Sequence, residues 1–408
     1  MLVFSSKIDI KEYDEFASTH AYSTLLQSGA WPKIKKNWKP FYTGVYKDNQ
    51  LVATALVLIR GLPMRLKFAY IPRGPLMDYS NQEVVSFFLE NLKDLAKQQK
   101  CLFVRMDPAV CYKRYSFSEK ESAQPLEEGL IAINTLIKSK AKHLGLPLKM
   151  HDSFQPRFVA ITTLKENLFK TFSSRTQQSI NYTNRRKVTI EQGSYNLLDD
   201  FVSMIEKTED RKNINLRDKE YFTLFLDNYN ENAKIYLAVI NPKENYETFS
   251  KEIESRQNEL ERILAKSPKK ARQLEEQIAS FVKLRDEIVD QKDQTRVVIA
   301  SLLAVSYGQI VELLYAGTDI KYSRFYPQEA IYATVMDQAQ QNGLTFCTMG
   351  GIEGSLEDGL TQFKTKFNPL INEYIGEFDV PTSILYKGFM ATWNLRTTLK
   401  ERKKQKKS

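Results

Sequence analysis

A charged segment, residues 242–296, separates two strand-like stretches at 234–240 and 297–307. The segment is rich in Glu, Lys, Gln and Arg, and its apolar residues recur at steps of three and four on both sides of Ser267-Pro268. This spacing predicts two antiparallel helices joined at the proline, each about 30 to 37 Å long at about 1.5 Å per residue. The chain is therefore expected to fold around a sheet from which a helical arm projects.

The predicted elements around the arm repeat an order that occurs earlier in the chain. The first copy has a helix at 11–18, strands at 43–46, 51–60 and 66–71, a helix at 81–99, a strand at 101–106 and a helix at 128–144. The second has helices at 198–208 and 218–230, strands at 234–240, 297–307 and 310–316, a helix at 327–342 and a strand at 344–349. One α/β module is thus predicted to occur twice.

This repeat predicts two domains, with limits at 1–157 and 158–378. The arm, 242–296, belongs to the second domain, and residues 379–400 are expected to pack back on the first. The last nine residues, 400–408, form a basic tail.

Composition excludes several classes of protein. The three cysteines have no paired spacing and there are three histidines, which argues against a disulfide framework, a metal site or a histidine-based triad. The longest largely apolar run, 51–59, is far shorter than the roughly twenty residues that cross a bilayer. We expect a cytoplasmic protein without a metal or another cofactor.

Basic residues are clustered, and the formal net charge is +10. Such clusters favour phosphate-bearing partners, either nucleic acid or anionic lipid, although solvated surface charge is the alternative for each. Besides the tail, the clusters contain Lys266, Lys269, Lys270 and Arg272 at the predicted arm tip, and Arg185 and Arg186 in a predicted helix.

The stretch 348–378 contains the residue types of a functional site. Gly350-Gly351 allows backbone to approach a ligand closely, and Phe363-Lys364 and Gly376-Glu377 follow within about thirty residues. Loop punctuation is the alternative reading of the glycines.

Several short motifs occur in an order that resembles the Fem-type aminoacyltransferases, which build the interpeptide bridges of peptidoglycan. They are Tyr70-Ile71-Pro72-Arg73-Gly74-Pro75, Asp107-Pro108, Gln155-Pro156-Arg157, Tyr315-Ala316-Gly317, Gly350-Gly351-Ile352 and Phe363-Lys364. Through Leu26-Gln27-Ser28-Gly29-Ala30-Trp31, the chain is most similar to the MurM and MurN branch. The resemblance implies an α/β fold of two acetyltransferase-like (GNAT) domains, with a coiled-coil arm inserted in the second.

The same resemblance implies a reaction. An amino acid, alanine or serine in this branch, would pass from aminoacyl-tRNA to the stem-peptide lysine, or to the first bridge residue, of lipid-linked peptidoglycan precursor. The protein would work at the inner face of the plasma membrane.

The resemblance also implies site residues. Lys364 would stabilise the developing oxyanion or the tRNA terminus, and Phe363 would shape the pocket. Asp107 and Glu377 compete as the base, and a substrate-assisted proton transfer is a third possibility. Lys33 and Arg217 would bind the precursor's phosphates, with Lys35 and Lys36 as neighbours that could replace Lys33, and Tyr221 and Tyr315 would line that cleft.

Two other functions compete with this one. An acyl-CoA N-acyltransferase would carry a pyrophosphate loop of the form [QR]-x-x-G-x-[GA], which does not occur at the expected places. A non-catalytic RNA-binding protein would use the arm and the tail, and its function would not depend on Lys364.

Overall fold

Two eight-stranded mixed sheets form the framework of the described chain. The computed structural model describes residues 1–264 and 266–393, with only the backbone of Met64. The basic tail predicted at 400–408 lies outside these residues. The strands are β1 Leu2–Ser5, β2 Lys39–Lys47, β3 Gln50–Gly61, β4 Lys67–Ile71, β5 Leu76–Met77, β6 Cys101–Met106, β7 Cys111–Ser116, β8 Lys142–His143, β9 Phe158–Thr163, β10 Thr189–Gly193, β11 Ala233–Ile240, β12 Val297–Tyr307, β13 Ile310–Thr318, β14 Phe346–Ile352, β15 Leu370–Tyr374 and β16 Phe378–Pro381.

Helices cover these sheets and form the arm. They are α1 Ile10–Thr19, α2 Trp31–Ile34, α3 Gln82–Gln98, α4 Glu127–Lys138, α5 Ser174–Arg185, α6 Leu198–Lys212, α7 Lys219–Tyr229, α8 Pro242–Ile263, α9 Pro268–Ile288, α10 Pro327–Gln341 and α11 Gly359–Thr365. Residues 386–393 are also helical.

The predicted repeat is visible in both sheets. In the first, β2, β3 and β4 form an antiparallel meander, α3 follows, and β6 then pairs parallel to β4. In the second, β11, β12 and β13 form the meander, α10 follows, and β14 pairs parallel to β13. The order of elements predicted from the sequence is therefore confirmed.

Local sequence explains the helix that links the parallel strands of the first sheet. The Asn81 side chain accepts a hydrogen bond from the Val84 amide at 3.2 Å and caps the start of α3. Apolar residues at helical spacing, among them Val85, Phe88 and Leu92, are buried. The helix ends before Lys100, whose φ of +61° is left-handed.

The helix predicted at 128–144 is shorter than expected. Helix α4 ends at Lys138, Lys140 adopts a left-handed φ of +67°, and the next residues form β8. This strand pairs with β16, so that His143 lies opposite Phe378. A pairing across more than two hundred residues overrides the helical pattern, which a local reading cannot detect.

Each sheet contains a strand from a distant part of the chain. The predicted limit at residue 157 does not match the division into sheets, because β7 lies at the edge of the second sheet beside β15. In the other direction, β16 enters the first sheet between β6 and β8. A buried bidentate ion pair reinforces this insertion, with Arg105 Nε and Nη2 donating to the Asp379 carboxylate at 2.8 and 2.9 Å.

A shared core joins the two sheets. One buried cluster combines Leu25 and Trp31 from the first part of the chain with Phe201, Phe222 and Leu303 from the second. Its burial fuses the two α/β units and positions α2 next to α7.

The arm predicted at 242–296 is present as α8 and α9. At about 1.5 Å per residue, the 22 residues of α8 span about 33 Å. Phe249 and Phe281, one from each helix, have ring centroids 5.9 Å apart, and Phe249 also contacts Phe325 near the sheet. The base of the arm is thus anchored in the buried core that covers the second sheet, whereas its tip lies away from that core.

Candidate active site

A cleft of about 860 Å³ opens where the two α/β units meet. Aromatic side chains form much of its wall. The cations Lys35, Lys36, Arg60 and Arg217 lie along it, with the acids Asp218 and Glu220. The aromatic residues are Trp31, Trp38, Phe68, Tyr70, Phe154, Tyr221 and Trp393. A cavity with this lining suits a ligand that has both anionic and apolar parts.

Lys36 pairs with Glu220 at 2.5 Å, and the other three cations are held against aromatic rings. The Arg217 guanidinium lies 4.9 Å from the Tyr221 ring, Arg60 lies 5.4 Å from Trp38, and Lys35 Nζ lies 4.9 Å from Trp31. Burial, together with the charges of Arg217 and Arg60, lowers the pKa of Lys35. An anion bound here would relieve the repulsion among the cations.

The structure brings together most of the predicted acceptor-site residues. Arg217 and Tyr221 line the cleft, and the Tyr315 hydroxyl lies behind them, 3.4 Å from that of Tyr221. Lys33 is exposed and is not among the lining residues, whereas its neighbours Lys35 and Lys36 are. The reason is the orientation of α2, which buries Trp31 and Ile34 and leaves Lys33 pointing outward.

Asp107 follows β6 and is buried behind Tyr70. Its Oδ1 accepts hydrogen bonds from the Arg73 amide at 2.8 Å and the Tyr70 hydroxyl at 3.1 Å. Its Oδ2 has no hydrogen-bond partner and lies 3.9 Å from Arg73 Nη1. Burial raises the pKa of Asp107 to about 6, against the opposing effect of Arg73.

Glu377 belongs to the same buried group of charges. Its Oε1 accepts from the Phe154 amide at 2.5 Å, and its Oε2 lies 3.6 Å from Arg105 Nη1. Burial raises its pKa to about 7, Arg105 opposes the rise, and the charge of Asp107 adds to it. Tyr70 and Phe154, which line the cleft, each contact one of the two acids.

Lys364 lies on α11, in the second α/β unit. The Asp358 carboxylate caps this helix, and Lys364 Nζ donates a hydrogen bond to the Gly351 carbonyl at 2.8 Å. Burial lowers the pKa of this lysine to about 8. Its neighbour Phe363 is half-buried, with its ring centroid 5.2 Å from that of Tyr332.

A loop connects the surroundings of Lys364 with those of the acids. A Cβ atom at Gly351 would lie 2.3 Å from Pro156 Cγ, so only glycine permits this close approach. On its other side, the Pro156 carbonyl accepts from Arg73 Nη2 at 2.6 Å. Pro156 therefore separates the Lys364 site from Asp107, and the Gln-Pro-Arg and Gly-Gly motifs meet here.

The basic clusters lie away from this cleft. Lys266, Lys269, Lys270 and Arg272 are exposed at the arm tip, where Lys270 pairs with Glu259 at 2.9 Å and Arg272 with Glu276 at 3.4 Å. Arg185 is exposed. Arg186 packs between Tyr182 and Tyr326, at 4.9 and 5.2 Å, and donates to the Arg324 carbonyl. That guanidinium is committed to packing, whereas Arg185 is exposed and lies 5.9 Å from the Tyr182 ring.

Sequence reasoning missed several residues of the site. No role was assigned to Arg60, Arg73 or Arg105. Arg60 and Arg105 lie within the largely apolar strands β3 and β6, and Arg73 follows β4. A charge in or next to such a strand is the signal that could have found them. Their partners are distant in sequence, so spacing alone does not reveal the roles.

Among the described residues, no group of acids, histidines and cysteines could hold a metal ion. None of the helices in 1–264 and 266–393 is long and apolar enough to span a bilayer.

The fold contains two α/β units with the same order of elements and an inserted helical arm, as expected. The chain belongs to the FemAB family, whose model matches residues 8–392. It is 26% identical over 399 residues to proteins named lipid II:glycine glycyltransferase from Staphylococcus aureus strains USA300 and COL, with 90% of each chain covered. A solved structure of FemX matches with a TM-score of 0.75 and 25% identity, over 95% of this chain and 99% of the other. The resemblance to Fem-type proteins is confirmed, while the placement near the MurM and MurN branch stays a prediction.

The raised pKa of Glu377 predicts a pH-dependent stability. A carboxyl whose folded pKa is about 7, against 4.5 unfolded, stabilises the fold below pH 4.5 and loses that contribution as pH rises through 7. The difference in free energy of unfolding between Glu377→Gln and wild type should therefore grow by about 3 kcal/mol, in favour of the variant, as pH rises from 4.5 to 8. Urea titrations of both proteins at several pH values measure the difference, and parallel curves would contradict it.

Proposed function

We infer that the protein transfers an amino acid from aminoacyl-tRNA to lipid-linked peptidoglycan precursor and so builds interpeptide bridges. It is an aminoacyltransferase of the FemAB family, and relatives matched over 90% of their length are named for glycyl transfer to lipid II. The observation that carries the proposal is the cationic, aromatic cleft adjoining two buried carboxyls with raised pKa values. We propose alanine or serine as the transferred residue.

The reaction requires a neutral amine. A lysine ammonium has a pKa of about 10.4, so a base must take its proton before the nitrogen attacks the ester carbonyl. The C–N bond then forms, the bond to the ribose oxygen breaks, and a proton ends on that oxygen. We assign the proton acceptor to Asp107, because its Oδ2 is buried without a hydrogen-bond partner. Glu377 is the alternative base. It is less free to accept a proton, because the Phe154 amide donates to one of its oxygens and Arg105 lies beside the other.

Lys364 supplies positive charge on the donor side. A buried ammonium stabilises negative charge on the carbonyl oxygen or the leaving ribose oxygen more strongly than a solvated one does. With a pKa of about 8, Lys364 is mostly protonated at neutral pH. Phe363 beside it would form one wall of the pocket for the tRNA terminus or the amino acid.

The acceptor's pyrophosphate is proposed to bind Lys35, Arg60 and Arg217 in the cleft. Lys35→Gln is expected to raise KM for the acceptor about tenfold with little change in kcat, since it removes one charge from phosphate binding. Lys33→Gln is the matched control, because Lys33 is exposed outside the lining. Steady-state kinetics with varied acceptor measure both, and the reverse result would return the assignment to Lys33.

The tRNA body is proposed to contact the arm tip and Arg185. Lys266, Lys269, Lys270 and Arg272 are exposed there, and phosphate contacts from such residues act additively and weaken with salt. The protein is proposed to act at the inner face of the membrane, where its acceptor resides.

The decisive experiment measures transfer of radiolabelled amino acid from alanyl-, seryl- and glycyl-tRNA. Each donor is tested with unmodified precursor and with precursor that already carries one bridge residue. We expect incorporation from alanyl- or seryl-tRNA. Incorporation from glycyl-tRNA alone would overturn the donor assignment, and no incorporation from any pair would overturn tRNA-dependent transfer. Transfer from acyl-CoA, or RNA binding without transfer, would then establish the corresponding alternative.

A further inference from the structure

Two adjacent apolar side chains project from a turn after β16. Ile384 is 98% exposed and Leu385 is 58% exposed, immediately before the helical residues 386–393. Single exposed apolar side chains are common, but a neighbouring pair at a turn is a small patch that gains from leaving water. We call these two residues the apolar turn.

The apolar turn is rigidly supported. Before it, the Thr382 amide donates to the Leu102 carbonyl at 3.0 Å. After it, the Tyr386 hydroxyl donates to the buried Asp379 carboxylate at 2.9 Å, and Phe389 contacts Phe103 with ring centroids 6.1 Å apart. Because both flanks are tied to the first sheet, the two apolar side chains are held outward by the fold.

Basic residues surround the apolar turn. Thr382 also donates through its hydroxyl to the Cys101 carbonyl, and at this end of β6 lie Lys100, the preceding residue, and Lys67, which pairs in register with Cys101. Lys67, Lys100 and Lys387 are all exposed. These three lysines make the surface beside the turn positive.

The apolar turn also borders the mouth of the cleft. Trp393, at the far end of the same helical segment, lines the cleft together with Leu62 and Pro63. Two helical turns, about 10 Å, separate the apolar turn from this rim. A surface that contacts the turn would thus lie beside the cleft entrance.

We propose that the apolar turn and Lys67, Lys100 and Lys387 dock this protein on a bilayer surface rich in anionic lipid. Ile384 and Leu385 enter the boundary between headgroups and acyl chains, and the lysines pair with phosphates of the headgroups. A tRNA or protein partner would not require two adjacent exposed aliphatic side chains beside basic residues at the cleft mouth. This inference rests on the proposed function, because it orients the cleft toward a lipid-linked acceptor.

The test is co-sedimentation of the full chain with vesicles. We expect wild type to bind vesicles of equal parts phosphatidylglycerol and phosphatidylcholine. Ile384→Ser/Leu385→Ser should bind at least about tenfold more weakly, because two apolar side chains no longer leave water. The matched control is Ile320→Ser, which removes a 59% exposed isoleucine elsewhere on the surface and should bind like wild type. Lys100→Gln/Lys387→Gln should reduce the preference for anionic over pure phosphatidylcholine vesicles.

Equal binding by wild type and Ile384→Ser/Leu385→Ser would overturn the proposal. An equal loss of vesicle binding in Ile320→Ser would also overturn it. So would a double serine variant that loses self-association but still binds vesicles.

Activity separates this inference from the proposed function. With a precursor analogue that lacks the polyprenyl chain, the double serine variant should transfer at the wild-type rate. Absence of transfer by wild type to any acceptor would overturn the function and leave the vesicle result valid.

Discussion

Lys364→Met is expected to lower kcat/KM for transfer by about 100- to 1000-fold, the usual effect of removing a group that stabilises a developing oxyanion. Methionine keeps the length of the side chain and removes the charge. The wild-type rate should also fall as pH rises through about 8, because the Lys364 ammonium then loses its proton. The residual rate of Lys364→Met should lack that fall. Transfer assays across pH measure both effects.

Stability distinguishes a catalytic Lys364 from a structural one. The substitution removes a hydrogen bond to Gly351 but also removes the cost of burying a charge. We therefore expect the free energy of unfolding to change by no more than about 1 kcal/mol. Lys366→Met, two residues further along and paired with Glu329 at 2.8 Å, is the control and should retain most activity. Full activity in Lys364→Met would refute its role in transfer.

Asp107→Asn is expected to lower kcat/KM by about 100-fold or more, since general-base catalysis contributes on that scale. The asparagine oxygen can still accept from the Arg73 amide and the Tyr70 hydroxyl, so the fold should be retained. Wild-type activity should rise as pH increases through about 6, because the base acts only when deprotonated. This rise should disappear in Asp107→Asn.

Glu377→Gln is the matched comparison for Asp107→Asn, because both changes replace a buried carboxyl by its amide in one group of charges. We expect it to lower kcat/KM less than tenfold. A large loss in Glu377→Gln alone, with loss of a rise near pH 7, would make Glu377 the base. Small losses in both variants would indicate proton transfer assisted by the substrate.

Local patterns in the sequence were sufficient for much of the architecture. The arm was predictable because apolar spacing and a proline define two helices without reference to the rest of the chain. The repeated module was predictable because its strands and helices follow one another closely. Helix α4 shows the limit, since its end depends on a strand pairing with β16, which lies far away in sequence.

The candidate site was also only partly predictable from the sequence. Phe363-Lys364 and the acids could be selected as residue types in recognisable motifs, but their raised or lowered pKa values arise from burial, which no motif specifies. The choice between Lys33 and Lys35 depends on which face of α2 packs on the core.

The helical arm, the repeated α/β order and the identity of the chemical groups follow from residues that are neighbours along the chain. Three features follow only from the folded chain: β7 lies in the second sheet and β16 in the first, Arg105 pairs with Asp379, and Asp107 keeps an unpartnered oxygen. Burial and charge pairing are set by contacts between distant segments. Such contacts form only when the whole chain packs.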